Sequence, residues 1–208
     1  MSHFVRWAGI GVCVAALAAW AVLWLDPDGL GRAFRSAGGI ATQGSAPVGG
    51  PFSLVDQTGA PVTDATWRGR WMIVYFGYTT CPDVCPTELQ TIAAALDALG
   101  RQAAQVVPIF ITVDPGRDTP ARLADYVKLF DDRLVGLTGT AQQIDTVARA
   151  YRVYYAKVTP KESTTYLMDH SSFMYLMGPD GTLRALFRPG TSAQELAGAI
   201  RSRLPPAS

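Results

Sequence analysis

A buried-strand pattern that runs straight into a cysteine pair constrains this chain more than any other feature. Trp71-Met72-Ile73-Val74-Tyr75-Phe76 is apolar, aromatic and β-branched, the composition of a strand covered on both faces. Five residues later comes Cys81-Pro82-Asp83-Val84-Cys85-Pro86. Positions i and i+4 adjoin across one helical turn, so both sulfurs can face one atom or each other. Both thiols fall near a helix start, which favours thiolate, the form that metal binding and disulfide exchange require. With a helix from Pro82, Cys81 is the cap; with one from Pro86, Cys85 is. Three residues between the cysteines, rather than the usual two of redox motifs, suit a soft metal at least as well as a disulfide.

The rest of the chain alternates strands and helices. Phe52–Asp56 and Pro61–Thr63 read as a hairpin closed at Gly59. A helix from about Pro86 to Leu99 ends at Gly100. Val106–Val113 is a second buried strand, and Asp118-Thr119-Pro120 opens a helix to about Phe130. Leu134–Leu137 is a short strand, and Thr140–Tyr151 has helical spacing. Val153–Val158 and Ser172–Met177 are strands, Gly178–Gly181 turns into Thr182–Phe187, and Thr191–Leu204 closes the chain as a helix. This order describes an α/β sandwich of the thioredoxin-like kind with an added N-terminal β-hairpin.

Trp7 to Leu25 holds no charged residue, and nineteen residues at about 1.5 Å each span about 28 Å, the thickness of a bilayer core. Trp7, Trp20 and Trp24 have the positions of interfacial anchors. A cleaved signal peptide is the rival, with Ala16-Leu17-Ala18 as its cleavage site, but the apolar run continues past it. The expected organisation is a transmembrane helix within residues 1–26, a small-residue tether over 27–49, and a folded domain over 50–208. The short N-terminal tail puts that domain on the outer side of the membrane. A net charge of +1 gives no electrostatic case for nucleic acid. Three cysteines are too few for a disulfide scaffold, and Cys13 falls mid-membrane as a packing residue.

Histidine is scarce: His3 lies in the N-terminal tail, and His170 in what reads as a polar loop before Phe173–Leu176. In a thioredoxin-like fold that segment runs beside the cysteine turn, and two thiolates with one imidazole suit copper: sulfur holds Cu(I) and imidazole supports Cu(II). From the residues alone, ligand and bystander stand even for His170. Asp114, at the end of the second strand, reads as a loop-capping carboxylate, with a second-shell acceptor or an extra Cu(II) ligand as alternatives. Asp169 either orients the His170 loop or is a surface residue. The five methionines form no copper-binding cluster; Met72, Met174 and Met177 fit core packing.

Three blocks together carry a family resemblance: Phe76 to Pro86 around the cysteines, Val113-Asp114-Pro115-Gly116-Arg117-Asp118-Thr119, and Asp169-His170-Ser171. In this order they resemble the Sco/SenC family, over about Gly50 to Leu204. The resemblance implies a thioredoxin-like domain held outside the bacterial inner membrane, in the periplasm, or in the mitochondrial intermembrane space; the short N-terminus without a transit-like presequence favours the bacterial case. It implies one copper held by Cys81, Cys85 and His170, with Asp114 nearby. It also implies service to cytochrome c oxidase in maturing the CuA centre of subunit II, with copper received from an upstream donor. Two chemistries go with it: copper transfer by ligand exchange, for which His170 is necessary, and reduction of the target's cysteines by the Cys81–Cys85 pair, for which it is dispensable. A thiol peroxidase and a static copper store rank below both. The expectation is a metallochaperone rather than an enzyme, with thiol-disulfide reductase activity as the alternative.

Overall fold

The structure is a computed structural model and describes residues 47–160 and 165–205. The anchor segment, most of the tether and Cys13 lie outside the described residues. Among those described, no helix is long and apolar enough to cross a membrane.

The chain builds a seven-stranded sheet in the order β2-β1-β5-β4-β3-β8-β9. The hairpin is β1 (Ser53–Asp56) and β2 (Pro61–Thr63), paired with Leu54 opposite Val62. At the centre lie β3 (Trp71–Gly77) and β4 (Val106–Thr112), parallel with Tyr75 opposite Phe110 and Gly77 opposite Thr112. β4 is buried along its whole length, and so is β3 after Trp71. Burial on both faces explains why these runs show no polar alternation. β5 (Val135–Thr138) continues the parallel order beside β4 and joins the hairpin through β1. On the other side β8 (Met174–Met177) and β9 (Leu183–Phe187) run antiparallel. Most predicted elements are present, with ends shifted by up to three residues.

Among the described residues four α-helices pack around the sheet. α1 (Val84–Leu99) and α4 (Ala193–Arg201) lie against each other, α2 (Pro120–Lys128) packs on β5, and α3 (Ala141–Ala150) touches β1. α1 ends at Gly100, whose φ of +57° is the left-handed conformation glycine adopts without strain. The side chains of Thr119, Thr140 and Ser192 cap α2, α3 and α4, the last two through reciprocal capping boxes with Gln143 and Glu195. Thr119, not Asp118, caps α2.

Two sequence expectations are corrected near the cysteines and the histidine. Neither cysteine caps α1. Asp83 occupies that position, and the helix begins at Val84, placing Cys85 and Pro86 in its first turn. Proline is tolerated there because a first-turn N–H has no intrahelical partner to lose. His170 is not in a loop but ends a strand, β7 (Leu167–His170), which pairs antiparallel with β6 (Tyr155–Val158) as a separate ribbon. Its residues alternate outward and inward, Leu167 and Asp169 exposed and Met168 buried, a period-2 pattern without an apolar run.

Candidate metal centre

Cys81 follows a tight turn at the end of β3, its N–H donating to the Tyr78 carbonyl at 3.2 Å. The turn is pinned from below by Asp118, a fully buried carboxylate. Thr79 N–H and Thr79 Oγ1 donate to it at 3.0 and 2.6 Å, and Thr112 Oγ1 at 2.6 Å. Arg122 Nε donates in turn to Thr79 Oγ1 at 2.8 Å. Asp118 was read in the sequence only as part of a helix start. Its anchoring role depends on Thr79, 39 residues away, and no local pattern announces it.

The two cysteines are free and unequal, Cys81 half-buried and Cys85 buried. Cys85 fits because the residue opposite is glycine: a Cβ built on Gly77 would lie 2.8 Å from Cys85 Sγ and 2.8 Å from the Phe110 ring. The Cys85 N–H, one of the free donors of the first helical turn, donates to Cys81 Sγ at 3.4 Å. The Cys81 pKa is pulled down to about 4, chiefly because the Cys85 thiol donates to it, with help from His170 and the N–H groups of Asp83 and Cys85. Cys85 moves the other way, its pKa raised first by burial, then by its hydrogen bond to the Cys81 thiolate and by that thiolate's charge. The pair therefore keeps one proton, on Cys85, and presents a thiolate at Cys81.

His170 closes the site. Its Nε2 lies 3.3 Å from Cys85 Sγ, and its Nδ1 lies 3.3 Å from the Ser171 carbonyl. A carbonyl can only accept, so we assign a ring proton to Nδ1, and Nε2 is the nitrogen turned to the sulfurs. The rings of Tyr75 and Tyr78 stand edge-on to the imidazole at 6.3 and 5.8 Å and limit its rotation. Cys81, Cys85 and His170 offer ligand atoms that all lie within 4.8 Å of one another. A cleft of about 420 Å³ opens beside them, lined among others by Asp83, Val84, Val158, Leu167 and Asp169.

Asp114 is not part of this cluster. It is buried, ion-paired with Arg117, and accepts from Tyr166 Oη at 3.0 Å. The Arg117 guanidinium stacks on the Tyr166 ring at 3.8 Å and donates to the Tyr166 carbonyl at 3.0 Å. Tyr166 directly precedes β7, so Asp114 and Arg117 fasten the base of the strand that ends in His170. Asp169 is exposed on the same strand and lines the cleft without joining the three.

The chemistry of the donor set fits copper. Two sulfurs and an imidazole nitrogen on one side of an open cleft match the soft, low-coordinate preference of Cu(I), and the nitrogen extends it to Cu(II).

Comparison with known proteins agrees with this chemistry. The family model described as SCO1/SenC matches residues 40–205. The human mitochondrial protein SCO1 homolog is 44% identical over 161 residues, covering 76% of this chain and 54% of that protein. The chain thus spans about half the length of the curated relatives it matches. Among solved structures, Arabidopsis thaliana ScoI with copper bound is 44% identical with a TM-score of 0.70, covering 74% of this chain and 99% of that one. Bradyrhizobium japonicum ScoI with copper bound gives the same identity and TM-score over 76% of this chain and 99% of that one.

Proposed function

The chain belongs to the SCO1/SenC family, and from that premise we propose that it is a copper metallochaperone. Cys81, Cys85 and His170 hold one copper ion and surrender it to the CuA centre of cytochrome c oxidase subunit II. The observation that carries this reading is the convergence of three ligand atoms within 4.8 Å at an open cleft. The asymmetry of the site suits release by ligand exchange. Cys81, half-buried and facing the cleft, is the first sulfur an incoming thiolate can displace; Cys85, buried, is the last to let go. His170 Nε2 stays poised at Cys85 throughout. Residues 1–26 would tether the domain to the bacterial inner membrane with the copper site in the periplasm, where an upstream donor loads it.

One observation favours a second reading, thiol-disulfide reduction of the target. A Cys81 thiolate beside a protonated Cys85 is the arrangement of an attacking and a resolving thiol. Cys81 would attack the target disulfide, releasing one target thiolate and forming a mixed disulfide. Cys85, its proton passed to the released thiolate, would then attack Cys81. The second target sulfur leaves as a thiolate with the electron pair of the broken mixed disulfide and takes a proton from solvent; the target's two sulfurs have gained two electrons, and Cys81 and Cys85, now a disulfide, have lost them.

The two readings separate in one experiment. The copper-loaded domain is mixed with metal-free subunit II domain whose cysteines are already reduced, and the violet CuA absorption is followed. The chaperone reading predicts CuA formation that fails with His170→Ala. Transfer that needs an oxidised target, and survives His170→Ala with copper supplied freely, overturns it in favour of the reductase.

A further inference from the structure

Tyr75 lies third from the end of β3, fully buried, in the middle of the sheet. A strand in that position needs apolar bulk, and phenylalanine would supply it. The hydroxyl is what requires explanation. Among the described residues Tyr75 Oη is buried and meets no partner at ordinary hydrogen-bond geometry, although Ser172 and Cys85 lie close enough to shift its pKa. Such a group costs free energy unless something satisfies it in another state of the molecule.

Its surroundings show which state. Residues 75 and 77 share one face of the strand, and at Gly77 the missing side chain leaves a slot. A Cβ placed there would lie 2.8 Å from Cys85 Sγ and 3.2 Å from the Tyr75 ring, so sulfur and ring meet across the glycine. The polar side chains around the hydroxyl are those of Cys85 and Ser172. The same ring stands edge-on to His170. A sulfur that ligates copper keeps lone pairs that can accept a hydrogen bond, and a buried hydroxyl beside it is the donor to supply one. A phenol stays protonated, and so a donor, across the neutral range.

We propose that Tyr75 is a positioning residue of the copper site: its hydroxyl donates to the Cys85 sulfur once that sulfur binds copper. The inference rests on the copper-binding reading above and deepens it. A hydrogen bond to a ligating sulfur withdraws electron density from it, which weakens its donation to Cu(II) more than to Cu(I). Tyr75 thereby biases the site toward the reduced ion, from beneath and out of contact with solvent.

Tyr75→Phe tests this against a matched control. Among the described residues Tyr126 Oη is also buried without a hydrogen bond and lies within reach of both cysteines' charges, but its ring packs on Phe110 and Phe130. Both variants are titrated with Cu(I) and Cu(II) against chelators, and the sulfur-to-Cu(II) absorption band is recorded. Tyr75→Phe is expected to lower the ratio of Cu(I) to Cu(II) affinity roughly three- to tenfold, the scale of one charge-assisted hydrogen bond. Its absorption band moves to lower energy, while metal-free thermal stability is unchanged or higher. Tyr126→Phe keeps the wild-type band and ratio. An unmoved band and ratio in Tyr75→Phe, or an equal change in Tyr126→Phe, overturns the inference alone. A wild-type protein without a tight copper site overturns it together with the reading it rests on.

Discussion

Cys85 Sγ and His170 Nε2 lie 3.3 Å apart although 85 residues separate them in the chain. The sheet makes the meeting. β8 runs antiparallel to β3 with Met174 opposite Tyr75, so the residues just before Met174 pass the end of β3 where the cysteine turn begins. β7 is held to that position by β6 on one edge and by the Asp114–Arg117–Tyr166 cluster at its base. The candidate metal site is thus assembled by strand register and not by any local motif alone.

The unequal protonation of the cysteines gives a reactivity test. An ordinary thiol near 9 is about one part in a thousand thiolate at pH 6, whereas Cys81, with its pKa drawn down to about 4, is ionised there. Iodoacetamide at pH 6 should therefore modify the reduced, metal-free protein rapidly and at Cys81, as mapped by mass spectrometry. The rate should hold down to about pH 5 and fall as the pH passes through about 4. The sign for stability follows the same direction. The folded chain binds fewer protons at Cys81 than the unfolded one between about 4 and 9, so this group's contribution is present at high pH and is lost as pH falls toward 4. Cys81→Ser should remove that slope.

Asp118 accepts three hydrogen bonds that fix the turn before Cys81. Asp118→Ala leaves their buried donors without partners, and the domain should lose roughly 3 kcal/mol in urea unfolding. Cu(I) affinity should fall with it, because the turn that presents Cys81 loses its anchor. Asp118→Asn, which can still accept through one oxygen, should recover part of both losses.

How much of this was legible in the sequence depends on how far each feature reaches. β3, the Gly59 hairpin, the Gly100 stop and the helix after Thr119-Pro120 are announced by local chemistry, and they stand where the sequence puts them. The cap of α1 was ambiguous because Pro82 and Pro86 are each compatible with a first turn; the structure chooses Asp83, between them. β7 was unreadable because Leu167-Met168-Asp169-His170 contains no apolar run, and its partner β6 belongs to a ribbon outside the main sheet. The convergence of His170 on the cysteines followed from the family resemblance, since the histidine alone carried no more weight as a ligand than as a bystander. Asp114 and Asp118 gain their roles from Tyr166 and Thr79, distant in sequence, and no spacing rule reaches that far.

Glu88, one turn beyond Cys85, offers a stability test away from the metal chemistry. It is buried in α1; Oε1 accepts from Gly190 N–H at 3.0 Å, and Oε2 has no hydrogen-bond partner among the described residues. Burial raises its pKa, against the opposing effect of the Gly190 hydrogen bond. A folded-state value above the unfolded 4.5 means the folded chain binds more protons there, so stability falls as pH rises from about 4.5 through the raised value. Glu88→Gln keeps the acceptor for Gly190 and removes the charge. It should be more stable than the wild type at pH 7, by about 1 kcal/mol, with the gap closing toward pH 4 in urea melts.

The central claim is that Cys81, Cys85 and His170 form one copper site, and a copper titration of the reduced domain, residues 50–208, tests it most directly. Wild type, Cys81→Ser, Cys85→Ser and His170→Ala are titrated against a Cu(I) chelator, with Cu(II) spectra recorded alongside. The account predicts one tight equivalent in the wild type, its loss in both cysteine variants, and in His170→Ala partial Cu(I) affinity with a weakened and altered sulfur-to-Cu(II) band. Unchanged binding in either cysteine variant, or a His170→Ala spectrum identical to wild type, would contradict it.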